Sequence, residues 1–229
     1  MTETDPKLAP GWRASRVLGC LQRREKTQIV DFLAERHNAR FFTPMERLLA
    51  FPRSTASGGH GFGYGFAVMA LCSLLIETIY SYWDGLPSTN QRELKELEKH
   101  STPPEYSVSR HEWPRNNADV FKRFFENPLF APFFPDVNPY EFCMNIRNGL
   151  LHQAQTKGGW LLEQSGLLWD NSDRSINRRL FAEAVRDAFH KYIETLRMKD
   201  WDDELWRKAR RKVWWLIELS KPSEGSPLS

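Results

Sequence analysis

The sequence predicts an all-α protein, a bundle of four to five main helices with accessory N-terminal helices. Three observations carry that expectation. Apolar residues from Ile176 to Leu196 recur at i, i+4, i+5 and i+8 for about six turns. Two segments, Thr43-Pro44-Met45-Glu46 and Asn138-Pro139-Tyr140-Glu141, place a capping side chain, a proline and a glutamate as a helix start requires. No segment sustains the period-two alternation of a half-buried strand, and only Trp160-Leu161-Leu162 looks locally extended.

Residues 1–20 carry the breakers Pro6, Pro10 and Gly11 with little periodicity, and are expected to form a loose arm. From Gln22 to Arg40, Ile29, Val30, Phe32 and Leu33 sit among charges and predict a helix with one apolar face. A short helix should start at Thr43, continue through Leu48 and Leu49, and stop at Pro52. The glycine-rich stretch Ser57 to Gly65 lacks the Gly-Lys-Ser/Thr ending of a phosphate loop and reads as a lead-in to the next helix. Phe66 to Ile76 is uncharged and continues past Glu77 to Trp83. It is too short to cross a bilayer core, which takes about 20 apolar residues, so it predicts a buried central helix ended by Gly85 and Pro87.

Beyond it, Gln91 to Lys99 is a short charged helix or loop, and the prolines of residues 101–115 mark a connection. Val120, Phe121, Phe124 and Phe125 recur at helical spacing before a turn-rich linker with Pro128, Pro132 and Pro135. The helix capped at Asn138 carries Phe142, Ile146 and Leu150 on one face and runs towards Gly158-Gly159. A last helix spans Asp202 to Ser220. The division expected is an N-terminal arm over 1–56 with one or two short helices, the bundle over 57–220, and a polar tail over 221–229.

A chain of 229 residues with 32 basic and 29 acidic side chains, net +3, is not a nucleic-acid coating protein, although a local basic patch stays open. Its size lets it bury a sizeable core without disulfide or metal staples. Cys20, Cys72 and Cys143 stand far apart, as free thiols in a reducing compartment would. The acidic N-terminus lacks the apolar run of a secretion signal, so the expected location is the cytoplasm, with no membrane association. Histidines 37, 60, 100, 111 and 190 form no H-x-x-x-H or H-E-x-x-H spacing, and neither a metal nor another cofactor is expected.

The stretch with most chemistry is Asn145 to Gln153. Arg147, Asn148 and His152 are side chains suited to phosphodiester chemistry. A guanidinium forks onto phosphate oxygens, and an imidazole exchanges protons near neutral pH. At about 100° per residue, Asn148 and His152 share a helix face, whereas Arg147 and His152 stand about 140° apart. Either Gly149 permits an irregular turn, or a second copy of the helix completes the site in a symmetric dimer.

The run Arg147-Asn148-Gly149-Leu150-Leu151-His152 resembles the Arg-x-x-x-x-His motif of the HEPN superfamily, in which a polar residue often follows the arginine. The resemblance covers residues from about 58 to 200. It implies a HEPN-like bundle, a homodimer through the Arg147–His152 helix, and a metal-independent endoribonuclease acting on RNA, in the role of a defence or stress effector. It implies that His152 moves protons at the ribose 2′-hydroxyl and the leaving oxygen, that Arg147 stabilises the phosphorane, and that Asn148 orients one of them. The product is then a 2′,3′-cyclic phosphate. Some members carry a tyrosine two positions after the histidine, modified by a partner nucleotidyltransferase; this chain has Ala154, so regulation through that modification is not implied, while another regulatory partner protein stays open.

Around the motif, Glu77 is placed to orient Arg147 or to face solvent, and Gln153 and Lys157 either hold substrate or are simply solvated. Five cations in Arg207 to Lys212, with Trp214-Trp215, fit either RNA contact through Arg210 and Arg211 or a charged helix face. Two other functions therefore stand beside the nuclease: a non-catalytic HEPN-type module for nucleotide or RNA binding or dimerisation, and a nucleic-acid-binding regulator using the basic C-terminal helix.

Overall fold

In the computed structural model, which describes residues 5–50 and 64–221, the chain is mostly helical, as its periodicities predict. The first departure comes at the N-terminus. Lys7–Ala9 (β1) and Trp12–Arg13 (β2) pair as an antiparallel hairpin turned by Gly11 at φ 69°, and Ala14–Gln22 (α1) follows directly. Leu8, Trp12, Val17 and Cys20 are buried in the same core as the later helices, and Arg36 and Arg40 donate to the Leu8 carbonyl. The breakers build the turn of an anchored hairpin. The loose arm expected for residues 1–20 is therefore corrected over the described positions.

Lys26–His37 (α2) runs through a π-helical turn, Asn38–Phe42, into Thr43–Ala50 (α3) without a break. The helix start expected at Thr43 is thus an interior position. Pro44 has no N–H and its ring would press on the carbonyl one turn back; the widened turn just before it gives that ring room. Pro52 and the glycine-rich stretch as far as Gly63 lie outside the described residues.

The central helix is Gly65–Asp84 (α4), closed by Gly85 in the left-handed region with Leu86 N donating to Ser81 O at 2.8 Å. Among the described residues it is the one helix long and apolar enough to cross a membrane, and most of that window is buried inside the protein. It is a core helix. Asn90 caps Gln91–Leu97 (α5) and Asn116 caps Asn117–Phe125 (α6), with short 3-10 turns between them. Val120, Phe121, Phe124 and Phe125 of α6 are buried in a phenylalanine cluster, where Phe124 stacks on Phe130 at 4.7 Å and Phe142 on Phe181 at 5.1 Å. Each such ring contributes about 1.5–3 kcal/mol relative to exposure.

Asn138 caps as predicted, accepting from the N–H groups of Tyr140 and Glu141, and one helix runs from 139 to 153. Its middle is again π-helical: Pro139–Glu141 (α7), the wide turn Phe142–Arg147, then Asn148–Gln153 (α8). It stops at Ala154, at φ 53°, short of the two glycines expected to end it.

Leu161–Glu163 (β3), Trp169–Asp170 (β4) and Ser175–Asn177 (β5) form a small sheet in the order β3-β5-β4, with β3 parallel and β4 antiparallel to β5. Strands this short cannot display a period, so only the first was visible in the sequence. Asn177 then caps Arg178–Met198 (α9), and Asp203 caps Glu204–Glu218 (α10). Helix α4 lies at the centre, packed against α9, α10, α6, α3 and α8. All three cysteines are buried and unpaired.

Candidate functional site

Burial of Phe142, Cys143, Ile146 and Leu150 fixes the 139–153 helix against α4, and this sets the direction of Arg147. Its guanidinium Nε donates to Glu77 Oε1 at 2.9 Å, and Nη1 donates to Asn148 Oδ1 at 3.1 Å. Thr89 Oγ1 donates to the other Glu77 oxygen at 3.1 Å. The two charged side chains are only 12% and 14% exposed. Removing one partner of so enclosed a pair costs about 3–5 kcal/mol because the other charge is stranded. Of the two placements open to Glu77, the orienting one is adopted.

His152 is elsewhere. It is exposed on α8, one turn after Asn148, and its side chain makes no hydrogen bond or ion pair among the described residues. Within one chain, Arg147 and His152 are not brought together. No irregular turn at Gly149 joins them; the wide turn lies upstream, in 142–147. Gly149 has a different task. A Cβ there would collide with the Gln155 carbonyl, because the chain after α8 folds back over the helix, with Gln155 N donating to Gly149 O at 3.4 Å and Lys157 N to Asn145 O at 2.8 Å. Lys157 thus meets this helix through its backbone, its side chain half-buried, and Gln153 is exposed at the helix end.

Beside Asn148 opens a cleft of about 490 Å³ that none of Arg147, His152, Gln153 and Lys157 lines. Its polar lining is five carboxamides, Asn90, Gln91, Asn116, Asn117 and Asn148, joined by Tyr140, which is 63% exposed. Cys143 also borders it, and burial pushes that thiol up, away from the thiolate that would react. Apart from Asn148, none of this lining was singled out from the sequence. The legible signal is the pair of Asn caps ahead of α5 and α6, which the sequence reading does not use.

The basic run is a correction. Arg211 is buried and spends all five N–H donors inside the protein: Nε on Gly85 O, Nη1 on Ser107 O and Glu112 Oε2, Nη2 on Asp84 O and Glu112 Oε1. Lys208 pairs with Asp84 at 3.1 Å, and Lys212 donates to Pro87 O at 2.8 Å. Positions 208, 211 and 212 share one helix face, and together they clamp the negative end of α4. Arg210 lies 4.6 Å over the Trp201 ring with its side chain only 19% exposed. Trp214 and Trp215 are buried, the first stacked on Tyr106 at 4.9 Å. Neither Arg210 nor Arg211 is placed to hold substrate, and the regulator reading based on this helix loses its support.

Compared with protein-family models, curated proteins and solved structures, the chain matches none.

Proposed function

We propose that the protein is a metal-independent endoribonuclease of HEPN type that acts as a homodimer. The observation that carries this reading is the fixed Arg147, held by Glu77 and by Asn148, on the helix that also presents an exposed His152. An exposed imidazole takes the proton from a ribose 2′-hydroxyl, the 2′-oxygen attacks the adjacent phosphorus, and the 5′-oxygen leaves with a proton. Arg147 stabilises the charge on the phosphorane. The acid and the base are the two His152 side chains of a symmetric pair, so that each Arg147 works with a histidine of the other copy.

Apolar surface for such a pairing flanks the motif: Met144 and Leu151 are each 39% exposed, and Leu74 on α4 is 42% exposed. The test is RNA cleavage in EDTA by the wild type, His152→Ala and Arg147→Ala, with end-group analysis. Cyclic ends from the wild type and at least a hundredfold loss in each variant are expected, on the order of a general acid–base contribution. Equal cleavage by all three, or a sedimentation mass of one chain, refutes the reading.

A second reading is favoured by one feature of the same geometry. The Arg147 charge is already balanced by Glu77, which suits a non-catalytic nucleotide- or RNA-binding module. RNA binding without cleavage in the same experiment selects it.

A further inference from the structure

We propose that Arg36, Arg40 and Lys212 form a binding site for a phosphate group, at the place where β1, the end of α2 and α10 gather around Tyr82. Arg36 and Arg40 both donate to one oxygen, the Leu8 carbonyl. Two hydrogen bonds of about 3 Å to a shared atom hold their nitrogens within about 6 Å of each other. The Arg36 guanidinium also meets the hydroxyl of Tyr82, whose ring is buried on α4. Lys212 reaches the same ring from α10, with Nζ 5.9 Å from its centroid, while donating to Pro87 O at 2.8 Å.

What this group lacks is a counter-charge. Other enclosed cations have a carboxylate: Arg147 has Glu77, Lys208 has Asp84 and Arg211 has Glu112. Among the described residues, Arg36, Arg40 and Lys212 form no ion pair, and the bonds they donate end on backbone carbonyls. Glu93, the acid that acts on Lys212, accepts from Ser88 instead. Like charges four residues apart on a helix repel, as Arg36 and Arg40 do. All three cations act on the neighbouring buried His37 in one sense, against its protonation. A phosphate group, carrying a charge of about −1.5 to −2 near neutral pH, balances such a cluster, whereas a single carboxylate leaves it cationic. The two guanidiniums offer forked donors to its oxygens and the ammonium a point charge. Those donors are mostly unspent: Arg40 and Lys212 each give one bond among the described residues. Arg40 is exposed and Arg36 and Lys212 half-buried, so an anion reaches them from solvent. The site shares no residue with the surroundings of Arg147 and does not depend on the ribonuclease reading.

The experiment is calorimetric titration of the full chain with inorganic phosphate and with adenosine 5′-monophosphate at constant ionic strength, alongside thermal melting in the same solutions. At a concentration tenfold above its dissociation constant, the phosphate that binds should raise the melting temperature by about 4 °C, and chloride or acetate of equal ionic strength should not. Tighter binding of inorganic phosphate identifies a free anion as the source of the group, and tighter binding of the monophosphate identifies a nucleotide. Arg40→Gln and Lys212→Met should each weaken binding by about tenfold or more, the loss expected for one charged hydrogen bond. Arg40 is exposed, so its variant decides the question even if Lys212→Met folds poorly. Arg207→Ala, which removes an exposed cation from the same helix as Lys212, should bind like the wild type. Failure of both phosphates to bind, an equal shift in chloride, an unchanged affinity in Arg40→Gln, or a loss as large in Arg207→Ala overturns the proposal.

Discussion

Truncating Arg211 to alanine separates the two roles its sequence context allows. In the structure the side chain bonds three backbone carbonyls, of Asp84, Gly85 and Ser107, and forks onto Glu112. Burial raises the Glu112 carboxyl, but the Arg211 guanidinium and the Ser109 N–H together more than offset this, so it is held below its ordinary value. Alanine strands that carboxylate and uncaps the last carbonyls of α4 at once. Breaking an enclosed ion pair costs about 3–5 kcal/mol. At about 2–4 °C per kcal/mol for a chain of this size, the melting temperature should fall by about 10 °C. Thermal unfolding followed by circular dichroism reads the shift. Arg207→Ala is the control, since that side chain is 64% exposed and reaches Glu204 only at 3.8 Å; it should melt within about 1 °C of the wild type. A melting temperature unchanged in Arg211→Ala, together with weaker RNA binding, would show that the side chain faces substrate and would refute the clamp.

Gly149→Ala tests the fold-back after α8 by its sign. Alanine favours an exposed helix interior by about 1 kcal/mol, but the Gln155 carbonyl leaves its methyl no room, so a net loss of about 1–3 kcal/mol is expected in urea unfolding; a stabilised variant refutes the contact. His37 makes an acid-sensitive point in the core. Burial, set against a bond to Leu33 O and reinforced by the nearby Arg36, Arg40 and Lys212 cations, pushes its imidazole down to about 3. The unfolded chain binds the proton first, so stability is complete above pH 6.5 and falls as the pH drops towards 3. Between pH 6.5 and 5 the wild type should lose about 1.6 kcal/mol that His37→Phe does not lose, measured by urea unfolding at both pH values. Parallel slopes in the two proteins would refute this account.

Long elements announce themselves because burial repeats often enough to set a period. Leu180 to Leu196 and Phe66 to Trp83 lie in helices where their apolar pattern places them, whereas Ile176, at the head of the first pattern, is in strand β5, and the Asn138 and Gly85 signals mark real helix ends. The cap written at Thr43 was overridden, since tertiary packing carried α2 through a wide turn where a local signal favoured a fresh start. Residues 7–13 were unreadable for another reason: two strands of two or three residues hold too few apolar positions to repeat.

The candidate site was legible only as far as single residues go. Arg147 and Asn148 stand out by chemistry and spacing and Glu77 only as one of two alternatives, because 70 residues separate Glu77 from Arg147 and only the fold brings them into contact. Arg210 and Arg211 misled because a run of cations looks the same whether it meets phosphate or the carbonyl end of another helix. What decides is the partner, and the partner, the end of α4, is more than 120 residues away.

The wide turn in 142–147 makes residue count itself a structural variable. A π turn accommodates about one more residue than an α turn, so the stretch from Asn138 to Arg147 is equivalent to a regular helix with a single insertion. Removing one residue there would keep the cap, the length and nearly all of the composition. It would swing everything after it about 100° around the axis. Arg147 would leave Glu77, and the far end of the helix would present a different side to the solvent. A variant with one residue deleted there is therefore a ready comparison, in which the same letters Arg-Asn-Gly-Leu-Leu-His would point elsewhere.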